Sequence, residues 1–224
     1  MSTPAKPARG RPLLSQERII DTTLGLLQKL PLKELTMRRL AQELGTTPAA
    51  MYGYFKNQEE LFNAVSARVI HGVDLSVLEG ETDWRMILRK WAQAVRKRQL
   101  QFPHTAWIVQ ITPHTPASWF EISEPQLRAL RSAGLTGYQL MDTSRCFSRV
   151  VAGSIFNELV LHSTALRLER SDADAALEQL SPTARAELEG ILPYLGDQDN
   201  DALFAFTIDC MIRGIESSLP KSAD

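Results

Sequence analysis

From Gln16 to Ser218 the apolar residues return at spacings of three and four, and no stretch alternates at a spacing of two between hairpin-turn residues. That rhythm belongs to helices with one covered face and argues against a strand-built core, so an all-α fold is expected. Ser15 is placed to cap a first helix over about Gln16–Leu30, which Pro31 stops. Thr36 caps a short second helix ended by Gly45, where a left-handed residue is wanted. Thr47 then caps a third, with Pro48 in its first turn. Asn57 and Glu60 resemble a capping box opening a fourth. A fifth is expected over Trp84–Gln101, further helices near Pro125–Ala133 and Gly137–His162, a short one after Pro182, and a last over about Asp201–Ser218. Prolines 103, 113, 116 and 125 break the region between the fifth helix and Ala133 into pieces.

The 224 residues are 44% hydrophobic and 23% charged, enough to bury a real core, which excludes disorder of the whole. No run approaches the roughly 18 apolar residues of a membrane span, and "MSTPAKPARGRP" lacks the apolar stretch of a secretion signal, so no membrane partner and a cytoplasmic location are expected. Cys146 and Cys210 lie far apart within apolar helical patterns and read as buried thiols, not a disulfide framework or zinc site. A glycine-rich phosphate loop, an H-E-x-x-H pair and a nucleophile elbow are all lacking, and the histidines are scattered. No enzyme and no catalytic residues are expected.

Charge is unevenly spread. Residues 1–56 hold nine Lys or Arg against four acids, a balance of +5, and residues 57–224 carry −6. A basic front on an acidic body suits a nucleic-acid binder with a separate second module. Within that front, Thr36 to Tyr54 reads as a helix-turn-helix, whose first helix bridges the phosphate backbone and whose second enters the major groove by its N-terminal end. Thr46, Thr47 and Pro48 begin the reading helix, where amides and hydroxyls meet phosphates or base edges. Ala49 and Ala50 permit close approach and can touch thymine methyls. Tyr52, Tyr54, Lys56, Thr36 and Arg38 are placed to reach phosphate oxygens, while Met37, Leu40, Ala41, Leu44 and Met51 hold the two helices together. Ahead of them Arg9 and Arg11, in "ARGRP", are candidates for a narrow minor groove.

"LTMRRLAQELGTTPAAMYGYFKNQEELFNAV" resembles the DNA-binding domain of the tetracycline-repressor (TetR) family of bacterial transcription regulators. Leu35, Thr36, Leu40, Ala41, Leu44, Gly45, Tyr52, Phe55, Lys56 and Leu61 carry the resemblance over about residues 13–65. Thr46 and Thr47 replace the usual V-S pair, Met51 a Leu and Tyr54 a His, which keeps caps and packing. Downstream, "VLEGETDW", "LRSAGLTGYQ" and "RVVAGSIFNEL" are similar to landmarks of the family's second domain. The resemblance implies a basic arm at 1–14, a helix-turn-helix domain at 15–62, a ligand-binding and dimerisation domain at 63–218 and a tail at 219–224. It also implies a homodimer on a near-palindromic operator in double-stranded DNA, released by a small-molecule effector. No residue set maps onto the magnesium and tetracycline site of the tetracycline-repressor branch, so no metal or other cofactor is expected. An architectural or ligand-independent DNA binder is the alternative reading.

His71, Trp91, His104, Trp107, Trp119, Phe120, Tyr138, Met141, Phe147 and Asn157 supply the aromatic and polar-tipped groups of a ligand pocket. The last helix carries Leu203, Phe204, Phe206, Ile208, Met211, Ile212 and Ile215 almost all round, and such a helix must be covered on most sides. Ala152, Gly153 and Ser154 are small residues that allow close helix approach. Both helices are therefore expected to pair with their symmetry mates in a four-helix bundle, with Ala152, Gly153, Phe156, Phe204, Ile208, Met211 and Ile215 at the seam. The other possibility is a core helix within a monomer.

Overall fold

A computed structural model describes residues 13–108, 117–163, 177–190, 192–194 and 199–219. The described residues form α1 (Gln16–Leu27), α2 (Met37–Leu44), α3 (Pro48–Tyr52), α4 (Gln58–His71), α5 (Trp84–Gln101), α6 (Ala117–Ser132), α7 (Gly137–Ser163), α8 (Pro182–Glu189) and α9 (Asn200–Ser218), joined by short 3-10 turns. The fold is all-α. Among the described residues no helix is long and apolar enough to cross a membrane, and no cluster of His, Cys, Asp and Glu is arranged to hold a metal.

The chain forms two compact units. In the first, α1 to α3 and α4 as far as Val69 bury Ile19, Leu27, Leu40, Ala41, Met51, Phe55, Leu61, Phe62 and Val65 against one another. Ser15 caps α1 by accepting a hydrogen bond from the Arg18 amide at 3.2 Å. Thr23, a polar residue in the buried stripe, satisfies its hydroxyl by donating to the Ile19 carbonyl at 2.7 Å. α1 stops at Leu27, earlier than Leu30, because the chain tightens there: the Lys29 and Leu30 amides both donate to the Leu26 carbonyl. The first unit also differs from the expected 15–62 segment. It runs to Val69 and takes in Phe102–Ile108, whose Ile108 is fully buried in its core.

The second unit is built around α5, which packs on α6, α7 and α9, with α7 also against α6 and α9. Trp91 and Phe147 lie at its centre with ring centroids 6.0 Å apart. Pro125 stands inside α6 instead of opening it, so the helix begins at Ala117. A proline loosens the ladder one turn ahead of itself, and there the buried Trp91 indole donates to the Ile122 carbonyl at 2.7 Å. On α9, Phe204, Ile208, Ile212 and Ile215 recur on one face and are buried within the chain. Burial of such a side chain contributes about 1.5–3 kcal/mol. Cys146 and Cys210 correct the expectation of buried thiols: both are free and exposed, on the faces of α7 and α9 turned away from this core.

Candidate nucleic-acid interface

α2 and α3 owe their short lengths to local chemistry. The Thr36 hydroxyl accepts from the Arg39 amide at 3.1 Å and starts α2. Gly45 ends it in the left-handed region, at φ 65 and ψ 36, while the Thr46 amide reaches back to the Ala41 carbonyl at 2.9 Å. One residue later the Thr47 hydroxyl accepts from the Ala50 amide at 3.2 Å and starts α3, with Pro48 in its first turn. α3 buries Met51 completely, and Phe55 just beyond it is buried too. Its other face, Pro48, Ala49, Ala50 and Tyr52, is exposed, Tyr52 at 51%. Thr36, Arg38, Thr47 and Lys56 are exposed as well, and Thr46 is half-buried.

α4 is fastened close by. The Asn57 side chain accepts from the Glu60 amide at 2.8 Å, whereas the Glu60 carboxylate accepts from the Lys56 amide at 2.7 Å. The capping box is thus displaced by one residue from its usual closure on the cap itself. Gln58 donates to the Leu35 carbonyl at 2.7 Å, tying the start of α4 to the lead-in of α2.

Tyr54 departs from its expected role. Its hydroxyl donates to the Leu14 carbonyl at 2.7 Å, and the Gln16 amide nitrogen donates to the Tyr54 carbonyl at 3.1 Å. The hydroxyl assigned to phosphate is engaged inside the first unit. No sequence signal marked this clasp, because its members lie 38 and 40 positions apart. Arg9 and Arg11 lie outside the described residues.

In the second unit a cavity of about 330 Å³ is lined by Ile70, His71, Val73, Leu75, Ser118, Glu121 and Ile122. His71 Nε2 lies 2.9 Å from Glu121 Oε2. Ser118 Oγ is buried and has no hydrogen-bond partner among the described residues. Of the expected pocket residues, His71 is the one that lines this cavity among the described residues. Trp91 and Phe147 are core, Trp119 is half-buried, and Phe120, Met141, Asn157 and Tyr138 are exposed, Tyr138 at 90%. His104 sits in the first unit, in the turn Pro103–Trp107, and the Trp107 side chain is outside the described residues. Helical spacing alone did not separate a cavity wall from a core, since both need apolar faces.

The seam residues also divide. Phe204, Ile208 and Ile215 are buried within their own chain, and Phe156 and Met211 are half-buried. Ala152 and Gly153 are exposed, as are Leu203 and Phe206 at 51% and 61%. The open apolar face of α9 is therefore the one carrying Leu203 and Phe206, not the isoleucine stripe, which α5 and α7 already cover.

Residues 19–65 match the family described as bacterial regulatory proteins, tetR family, and residues 78–219 match the tetracyclin repressor-like C-terminal domain. The chain is 29% identical over 206 residues to the class A tetracycline repressor protein from transposon 1721 of Escherichia coli, covering 90% of each. It is 24% identical over 224 residues to the HTH-type transcriptional repressor DrrR1 of Streptomyces coeruleorubidus, covering 96% of this chain and 82% of that one. Among solved structures, the Streptomyces coelicolor TetR family protein ActR in complex with actinorhodin superposes with a TM-score of 0.79 at 25% identity, over 94% of this chain and 100% of that one. The two matched regions, the helix-turn-helix with its exposed α3 face and the helical second unit together make the chain a member of the TetR family of DNA-binding bacterial transcription regulators.

Proposed function

We propose that the chain is a cytoplasmic repressor that binds a near-palindromic operator as a homodimer and is released by a small molecule held in its second unit. The observation that carries the reading is the division of α3, which buries Met51 and leaves Pro48, Ala49, Ala50 and Tyr52 open beside Lys56. A five-residue helix with one anchoring side chain and small residues at its start is suited to major-groove insertion. One such helix meets few base pairs, so two copies reading half-sites about 34–36 Å apart supply the affinity. Thr36, Arg38 and Lys56 then contact phosphates, and Arg9 and Arg11 reach into the minor groove alongside. The relatives named as repressors support the direction of control.

Effector binding is supported by the actinorhodin complex of ActR and by the cavity at Ile70 and His71, the last two residues of α4. Leu61, Phe62, Val65 and Val69, on the preceding turns of that helix, belong to the core of the DNA-binding unit. A molecule that fills the cavity acts on the far end of a helix fixed in the reading head, and effector and operator oppose each other by one coupling free energy, about 1–3 kcal/mol.

The test is selection of a duplex from random DNA by the purified protein, followed by footprinting of wild type and of Tyr52→Ala with Lys56→Ala. A two-lobed footprint about one helical turn apart, lost in the variant and weakened steeply by salt, is the expected result. An intact footprint in the variant, or equal affinity for random duplex, refutes it.

A further inference from the structure

The cavity at the end of α4 is lined by residues of the second unit alone, and its wall is chemically uneven. Ile70, Val73, Leu75 and Ile122 supply branched hydrocarbon, and Ser118, His71 and Glu121 the polar groups. His71 and Glu121 engage each other at 2.9 Å and are more than half exposed, so they form the edge that meets solvent. Ser118 is only 4% exposed, and among the described residues its hydroxyl has no hydrogen-bond partner. Folded proteins rarely keep a buried hydroxyl unpaired, and one that persists in a cavity wall is a group left for a ligand to satisfy. Among the described residues no Lys or Arg lines the cavity. Whichever protonation state the imidazole holds, its pair with Glu121 carries zero or negative charge. An anion brought inside would lose its water and meet no counter-charge. A volume of about 330 Å³ stands at the small end of ligand sites, which run from about 300 to 1,000 Å³.

We infer that the cavity takes a small, uncharged, mainly apolar molecule bearing one acceptor oxygen, as in a ketone, ester or hydroxyl, and that Ser118 selects it by donating a hydrogen bond to that oxygen. The inference rests on the second unit being the effector-binding unit, as proposed above. A hydrocarbon of the same shape gains the apolar contacts but leaves the Ser118 hydroxyl buried and unpaired, whereas the oxygen-bearing molecule satisfies it. The site thus discriminates through the bond that the wrong ligand fails to make.

The experiment is equilibrium dialysis of the full-length protein against two sets of near-isosteric probes: acetophenone, isopropylbenzene and benzoate, and the two-ring 2-acetylnaphthalene, 2-isopropylnaphthalene and 2-naphthoate. At least one ketone is expected to bind, and to bind more tightly than the carboxylate of its set. Ser118→Ala keeps the Cβ and removes the unpaired oxygen. It is expected to weaken that ketone about tenfold relative to the hydrocarbon of its set, the scale of one net hydrogen bond. The hydrocarbon itself should bind the variant as well as it binds wild type, which a general loosening of the unit would not allow. Failure of both ketones to bind, tighter binding of the carboxylate, or a ketone-to-hydrocarbon ratio that Ser118→Ala leaves unchanged overturns the inference. Release of the duplex recovered by selection is measured separately with the same probes. A ketone that binds with this dependence on Ser118 yet leaves the duplex bound upholds the inference about the cavity and overturns the effector reading instead.

Discussion

Arg96 on α5 grips Glu158 on α7 at two points, Nε to Oε2 at 2.7 Å and Nη2 to Oε1 at 2.8 Å, with the two side chains only 8% and 10% exposed. The same guanidinium reaches Asp201 at 2.7 Å and lies 5.0 Å from the centre of the Phe204 ring, so three helices meet on one charge. The Glu158 carboxylate is the main reason the guanidinium is held above its ordinary pKa, against the opposing effect of burial. A buried charge stripped of its partner is expensive, whereas replacing the pair by apolar residues is often near neutral. Glu158→Leu alone is expected to cost about 3–5 kcal/mol, and Arg96→Met with Glu158→Leu much less. Asp201→Asn, at an exposed partner, should cost about 0–1 kcal/mol. Urea unfolding at one fixed protein concentration checks all three, and equal losses for Glu158→Leu and Asp201→Asn would contradict the arrangement.

Gly45 and Gly25 should respond oppositely to alanine. Gly45 sits at φ 65, so a Cβ there is strained by roughly 1–2 kcal/mol. Gly25 lies within α1 on an exposed face with nothing within 4 Å of an added Cβ, and alanine should stabilise the helix by about 0.5–1 kcal/mol. Thermal midpoints should move down for Gly45→Ala and up for Gly25→Ala; two shifts of the same sign are incompatible with the left-handed cap.

Gly153 on α7 is exposed and meets nothing within 4 Å. In a lone subunit Gly153→Glu is therefore harmless. At a seam between two copies it buries an unpaired charge, which is costly. Sedimentation is expected to show dissociation into single chains with helix content unchanged. A variant that stays dimeric places the seam elsewhere.

Among the described residues the buried Ser118 hydroxyl has no hydrogen-bond partner. Its removal in Ser118→Ala should raise stability by about 1 kcal/mol, the cost of an unsatisfied buried polar group. Unchanged or lower stability in denaturant titration would mean that the hydroxyl is satisfied in solution.

Lys90 Nζ, 2.8 Å from Glu81 Oε2, and then the Asp83 and Thr82 amides on Oε1, hold the Glu81 carboxyl below its usual pKa. A folded-state pKa below the unfolded one means stabilisation that is present above the unfolded value, about 4.3, and lost as the pH falls through the folded one. Glu81→Gln should therefore lower the melting temperature at pH 7, with the gap from wild type closing in strong acid. A gap that widens on acidification has the wrong sign.

The helix-turn-helix was legible in the sequence because its determinants are local. Thr36, Gly45, Thr47 and Pro48 set the ends of α2 and α3 through bonds spanning three to five residues, and the spacing of Met37, Leu40, Ala41, Leu44 and Met51 marks the covered side. The basic front against the acidic remainder is likewise a property of the chain alone. What covers a helix is not. The apolar spacing of α9 is equally consistent with packing against α5 and α7 or against a second copy, and only the tertiary contacts decided that Phe204, Ile208 and Ile215 face inward while Leu203 and Phe206 remain open. The same holds for Trp91 and Phe147 as core, for Ile108 joining the first unit, and for the Tyr54 hydroxyl engaged by Leu14. Caps and turns are fixed by neighbours a few residues away, whereas burial and long-range hydrogen bonds depend on which distant segments the packing brings together.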